Sequence, residues 1–456
     1  MNIEFDEVVS KNIILKKGLN IKLEGKADKV YAATKPPKSY AIKPTDFHNL
    51  TPKLAVKESE SVLAGDCIFF DKYNESIKIC SPVSGSIKAI VRGEKRKILQ
   101  VVIDNDPEIK YKNFNVNKSE SRDDIIASLL DSGLWPFLRQ KPYDIIANPE
   151  DNPKAIFISS FSSSPLSTDN DFALYGLDEL FQLGLDKITK LTTGITHLNV
   201  DGNTIPSKVF TSAKGVQINK VSGPHPSGNV GIQIHHIDPI NKGDVVWYLN
   251  PQDVISIGRL FHEGKADFSR IVSLSGSMVS KPRYYRMVAG ACIFTLLENN
   301  VREGEKRIIS GDVLTGKKIS EKGYLGFYDT QICVIPEGNT SEFLGWLLPG
   351  FHKFSMSKTF FSWLLPNKRF DLNTNNNGEE RAFVVTGQYE KVLPMNIFPM
   401  QLIKSIMMED IEMMEGLGIY EVSTEDFALC EFVCTSKMDV QNIIRKGLDL
   451  MLKENS

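Results

Sequence analysis

Ala155-Ile-Phe-Ile-Ser159 and Thr196-His-Leu-Asn-Val200 decide how this chain folds. The first is a continuous apolar run, the pattern of a strand covered on both faces of a parallel sheet. Between them, Asp178 to Leu185 reads as a helix, with Gly184 near its end. Strand, helix and strand in alternation predict a doubly wound α/β unit. The turn leaving the first strand is Ser159-Ser-Phe-Ser-Ser-Ser-Pro165. It contains no glycine, and Phe161 is too bulky for a turn that cradles a pyrophosphate. The unit is expected to be Rossmann-like without the dinucleotide fingerprint, which weakens direct NADH binding there.

Downstream, Val221 to Leu260 carries His225, His235 and His236, three of the chain's seven histidines. Glycines and prolines crowd the same stretch in Gly223-Pro-His-Pro-Ser-Gly228. Such a combination invites a metal site or a backbone cradle for an anion. Adjacent His235 and His236 would point to opposite faces of a strand, and no cysteine or carboxylate pair stands at ligand spacing, so no metal is assigned. His225, held between two prolines, is expected to be stiff and exposed, and is the one candidate proton relay. The plainer reading is a loop whose prolines and glycines shape its packing on the next domain.

Upstream, Phe47 to Ile103 is a run of short strands around Ser81-Pro-Val-Ser-Gly85, a tight turn. This pattern resembles the barrel-sandwich domain of biotinyl and lipoyl carriers. Lys72 is the candidate for modification, but it lies ten residues before Pro82, farther than in those carriers, so an unmodified structural barrel is expected.

Past residue 262, Arg270-Ile-Val-Ser-Leu274, Arg283 to Val288, Gln331 to Ile335 and Leu344 to Leu348 read as strands. Gly311-Asp-Val-Leu-Thr-Gly-Lys-Lys318 nearly matches a phosphate-binding loop. Lys318 replaces the hydroxyl that would hold magnesium, and no helix can open after it, so nucleotide binding is not expected. Near the C-terminus, Met400 to Gly416 carries a helical stripe of Leu402, Ile403, Ile406, Met407, Ile411, Met413 and Met414, read as core.

Composition sets wide bounds. The 456 residues exceed a single core, and the net charge of -2 gives no electrostatic reason to expect nucleic acid. No apolar run approaches the ~18–20 residues that cross a bilayer. Six scattered cysteines fit a reducing compartment, and none falls at zinc or ferredoxin spacing.

Taken together, Gly223 to Gly228, His235-His-Ile-Asp-Pro239, Gln252 to Phe261, Ile309 to Gly316, Phe343-Leu-Gly-Trp346, Pro394 to Pro399 and Asp426 to Cys434 resemble the A subunit of the bacterial Na+-translocating NADH:quinone oxidoreductases. The matches keep one order from the barrel to the last helix. The resemblance implies a peripheral subunit on the cytoplasmic face of the inner membrane, docked on the membrane-embedded B subunit near where quinone is reduced. Flavins, iron–sulfur centres and NADH would belong to partner subunits, and quinone would sit at the subunit interface. Trp135, Phe137, Phe354 and Trp363 are the aromatic candidates for quinone proximity. Alternatives are a purely structural scaffold, or a subunit of the related Rnf-type complexes, whose cysteine-rich cluster motifs this chain lacks.

The expected architecture is α+β and multidomain. An N-terminal region with a barrel-sandwich domain, biotinyl- or lipoyl-like, occupies 1–110, and a Rossmann-like unit 111–262. A β-grasp-like, soluble-ligand-binding-type and β-rich region follows over 263–380, and a helical unit closes the chain over 381–456. Intact mass spectrometry of the purified native protein is expected to give the unmodified mass. A biotinyl or lipoyl increment on Lys72 would mark a carrier instead.

Overall fold

The computed structural model describes residues 10–116, 121–339, 342–345 and 347–455. Its centre is a seven-stranded sheet in the order Asn12–Ile14, Gln217–Ser222, Ile195–Asp201, Ala155–Ser159, Val246–Leu249, Arg139–Lys141, Ile145–Ile146. The first five strands are parallel and the last two antiparallel. From Ala155–Ser159 the chain winds outward through Ile195–Asp201 to Gln217–Ser222, then returns to add Val246–Leu249 on the other side. This is the doubly wound arrangement expected from the sequence.

Side chains of the central strand divide strictly by parity. Ile156 and Ile158 enter one core with Phe181, Leu185 and Val254. Ala155 and Phe157 enter a second, with Ile232, Ile234 and the C-terminal Leu402, Ile403 and Leu448. An apolar run with no polar alternation is therefore required here, because both faces are covered.

On the first face, helices Asp178–Ile188 and Pro251–Glu263 pack together. Gly184 and Gly258 make that approach possible. A Cβ on Gly184 would fall on the carbonyl oxygen of Val254, and one on Gly258 on that of Leu180. The second helix is well delimited. Asn250 caps it by accepting from the Gln252 amide, Pro251 opens the first turn, and Gly264 ends it at φ 69°.

Val230–Ile237 is a helix, not the strand that would oppose its two histidines. His235 and His236 lie side by side on it, with ring centroids 5.1 Å apart. They serve separate partners: His235 Nδ1 meets the Glu421 carboxylate at 2.6 Å, and His236 Nε2 meets the Pro394 carbonyl at 2.7 Å. Among the described residues no group of three or more such side chains could hold a metal ion.

The N-terminal barrel has a four-stranded sheet (Tyr40–Ile42, Ile98–Asn105, Gly85–Arg92, Ser61–Val62) and a three-stranded one (Pro52–Leu54, Cys67–Asp71, Lys78–Cys80). Lys72 stands exposed between the last two strands. Asn12–Ile14, ahead of the barrel strands, pairs instead with Gln217–Ser222 at the edge of the central sheet.

The third unit is a mixed sheet of Arg283–Val288, Ser269–Ser275, Gln331–Pro336, Lys306–Ser310 and Lys317–Ile319. Gly311 to Gly316 joins two of its antiparallel strands, and no helix follows. The expected strand over Leu344 to Leu348 does not form. Its described residues lie in turns, pair with no sheet edge, and leave Phe343 89% exposed.

The C-terminal helices are Tyr389–Val392, Pro399–Met407, Ile411–Gly416, Ala428–Val433 and Val440–Glu454. The expected continuous helix over 400–416 breaks where Glu409 takes φ 55° and Asp410 caps the next helix through the Met413 amide. The break divides the methionine stripe. Met400 and Met414 are buried, whereas Met407 and Met413 are exposed.

Gly258→Ala should destabilise the protein by about 1–3 kcal/mol, because a backbone carbonyl cannot yield without parting the helices. Gly416→Ala, which meets nothing within 4 Å, should be neutral or mildly stabilising. Urea unfolding midpoints of the two variants test the contrast.

Candidate functional site

In an open α/β sheet, ligands bind outside the carboxyl ends of the strands, where the winding reverses. That point lies here between Ala155–Ser159 and Val246–Leu249. A cavity of about 280 Å3 opens there, lined by Ser159, Leu249 and Asn250 from the strand ends. Its far wall is the Ser310 to Lys317 loop and the 326–331 segment of the third unit, and Glu425 closes it from the C-terminal unit. The phosphate-loop look-alike thus lines a cavity although it is not a phosphate loop. Its glycines are the only hint of the cavity in the sequence.

Arg139 dominates the electrostatics. It stands opposite Tyr248 across the antiparallel pair, and its guanidinium lies over the rings of Tyr248 (4.5 Å) and Tyr328 (4.9 Å). Two residues on, Lys141 is only 2% exposed and is paired with Asp144 at 2.9 Å. Burial works against the Asp144 carboxylate, but Lys141 beside it, with Arg139 and the Tyr248 hydroxyl (2.8 Å), holds its pKa below the usual value. Arg270 faces Asp253 at 3.4 Å. Burial pushes Asp253 up to about 6 despite that partner.

Glu425 combines accessibility with enclosure. Much of its surface is accessible, and it faces the cavity. Burial first, and neighbouring Asp426 second, push its carboxyl up to about 7. Asp329 is also raised by burial, while accepting the Ser310 hydroxyl at 2.5 Å.

Beneath the cavity floor runs a chain of buried amides. Asn219 donates to Asn199 (2.9 Å), Asn199 to Gln233 (2.8 Å), and Gln233 to the Ser159 hydroxyl (2.9 Å) and the Ser227 carbonyl (3.0 Å). These bonds fix the strand end and the start of the Val230–Ile237 helix relative to each other.

Comparison with known proteins follows this architecture from end to end. Family descriptions match in three consecutive pieces: the "NqrA N-terminal barrel-sandwich hybrid domain" over residues 13–106, the "NqrA second alpha/beta domain" over 120–266, and the "NQRA C-terminal domain" over 271–321. The Na(+)-translocating NADH-quinone reductase A subunit of Saccharophagus degradans is 36% identical over 97% of this chain and 100% of its own length. The Pseudomonas aeruginosa protein of the same name is 36% identical over 96% and 98%. That of Hahella chejuensis is 37% identical over 97% and 100%. The chain belongs to the A-subunit family of the Na+-translocating NADH-quinone reductases. An NAD+-reducing [NiFe]-hydrogenase in its air-oxidized state aligns only loosely, with TM-score 0.39 and 11% identity over 74% of this chain and 62% of that one.

In this member of the A-subunit family, the sequence candidates do not converge. Trp135 is fully buried, donates to the Ala147 carbonyl at 2.7 Å, and packs edge-on to Trp247. Phe137 is fully buried against Phe268 and Phe327. Phe354 lines a different cavity, of about 770 Å3, between the third and C-terminal units. Trp363 is on the surface, 52% exposed. His225 is not the exposed residue expected, being only 3% exposed. Its Nδ1 meets the Ser163 hydroxyl at 3.0 Å, and its backbone amide donates to Asn20. The loop packs on the N-terminal segment through Leu19 and Asn20, where the plainer reading expected the next domain. Arg139 and the amide chain escape sequence reasoning, because neither forms a motif.

Burial lowers the His225 pKa from 6.5 to about 4. The folded protein therefore keeps this imidazole neutral over a range in which the unfolded chain takes up a proton. The stability it contributes is complete above pH 6.5 and is lost as pH falls towards 4. In unfolding titrations, the stability difference between wild type and His225→Gln should grow from pH 4 to 6.5 and level off above.

Proposed function

We propose that the chain is the peripheral cytoplasmic-face subunit of a Na+-pumping NADH:quinone reductase, docked on the membrane-embedded B subunit, where it supports electron transfer to quinone. One observation carries the docking. The segment 343–365 displays Phe343, Leu347, Phe351, Phe361, Trp363 and Leu364 to solvent, an apolar surface far denser than scattered surface residues supply. Among the described residues no helix is long and apolar enough to cross a membrane, so attachment would rest on such a surface. The third unit is read as β-grasp-like, presenting this segment away from its sheet.

Quinone contact is proposed at the same interface, through Phe354 and Trp363. Trp135 and Phe137 would support that region only from inside the fold. A proton relay by His225 would run through the Ser163 hydroxyl, which also accepts from the amide of the cavity-lining Gly228. Flavins, iron–sulfur centres and NADH are assigned to partner subunits.

Tagged full-length protein should recover the other reductase subunits from detergent-solubilised native membranes. Phe343→Asp with Leu347→Asp should reduce that recovery at least about tenfold, as for loss of central apolar anchors. Failure of wild type to recover redox subunits would overturn the reading. The purified chain is also expected to show no stoichiometric flavin absorbance.

A further inference from the structure

We propose that the cavity at the ends of Ala155–Ser159 and Val246–Leu249 binds a small organic anion, a carboxylate or a phosphate monoester, whose charge is met by Arg139. This goes beyond the docking reading and does not depend on it.

The first support is the state of Arg139 relative to its neighbours. Every other cation described around the cavity has a carboxylate within reach. Lys141 has Asp144, Arg270 has Asp253, and Lys43 and Lys317 share Asp46. The Arg139 guanidinium makes no direct hydrogen bond or close ion pair with any described residue; Asp144 and Glu425 act on it only at longer range, and it lines the cavity. A guanidinium drawn out of water without a hydrogen-bond acceptor is costly, because carboxylates at longer range compensate its desolvation only in part. Two tyrosine rings offset part of that cost and hold the planar fork in place. Neither ring takes a hydrogen bond from the guanidinium's five N–H donors, which are left for a ligand. A carboxylate or phosphate accepts such a fork bidentately.

The second support is the rest of the wall. Ser159, Ser162, Ser164, Thr168 and Asn250 supply hydroxyl and amide groups suited to a ligand's polar remainder. The acids facing the same space do not cancel the arginine. Asp46 is paired with two lysines, Asp312 is taken up by the Leu314 and Thr315 amides and the Thr315 hydroxyl, and burial drives Asp329 and Glu425 towards their neutral forms. A volume of about 280 Å3 stands at the small end of ligand pockets, about 300–1,000 Å3. It suits a compact metabolite-sized anion and not a dinucleotide. The position is also the switch point, where this sheet topology places ligands.

The test uses the purified full-length chain, titrated calorimetrically at constant ionic strength with inorganic phosphate, glycerol 3-phosphate and succinate. The expected result is saturable one-to-one binding of at least one probe. The phosphate and carboxylate arms then distinguish the two chemistries. Arg139→Met should weaken binding at least about tenfold. Should that variant fail to fold, Ser162→Asp serves in its place. Ser162 is exposed to the cavity and its Oγ accepts the Ser164 amide, a bond that an aspartate can also accept while repelling an anion. It too should weaken binding about tenfold. No saturable binding of any probe up to about 10 mM, or binding indifferent to both substitutions, overturns the proposal.

Discussion

Lys141 sets the terms for the centre of this protein. Its ammonium is almost completely removed from water, which is tolerable only because Asp144 lies 2.9 Å away and is itself held by the Tyr248 hydroxyl. Lys141 and Tyr248 belong to neighbouring strands of an antiparallel pair, and Asp144 to the turn just after Lys141. Slipping that pair by one residue would turn both Asp144 and Arg139 away from Tyr248. The register of the sheet's far side is therefore fixed by charge as much as by apolar burial. With it is fixed the mouth of the cavity, since Arg139 and Tyr248 form part of its wall.

The units around the sheet are joined by polar contacts at the same level. Thr168 bonds both the Ser273 hydroxyl and the Thr330 carbonyl, and Tyr328 donates to the Pro136 carbonyl. Gln252 exchanges two hydrogen bonds with the backbone of Ile271. From the C-terminal helices, Arg445 donates to the Tyr143 carbonyl. The cavity is thus a junction of four segments of chain, and its shape depends on how all four are seated.

Much of the scaffold is legible in the sequence because periodicity records burial. Ala155 to Ile158 reads as a two-sided strand and is one, and the barrel follows from short strands around Ser81 to Gly85. Periodicity fails where local chemistry competes. His235 and His236 read as strand residues because Ile232, Ile234 and Ile237 suit either period over so short a run. Leu344 to Leu348 looks like a buried strand because apolar content cannot say whether a partner covers it. The site is the least legible part. Arg139, Tyr248, Tyr328 and Glu425 are far apart in sequence and meet only through the strand order. His225 stands out by its prolines, yet those prolines serve a buried loop.

The edge strand Asn12–Ile14 has a consequence for how the chain is made. It can pair only with Gln217–Ser222, some two hundred residues downstream, and the face bearing Phe157 is covered by helices that lie at the far end of the chain. During synthesis from the N-terminus, the barrel strands between Tyr40 and Asn105 can close first on one another. The edge can close once Gln217–Ser222 has emerged, but the α/β sheet must wait with one face uncovered until the C-terminal helices leave the ribosome. Long-range pairing of this kind is slow and prone to aggregation, so the nascent chain is most vulnerable while its C-terminal helices are still being made.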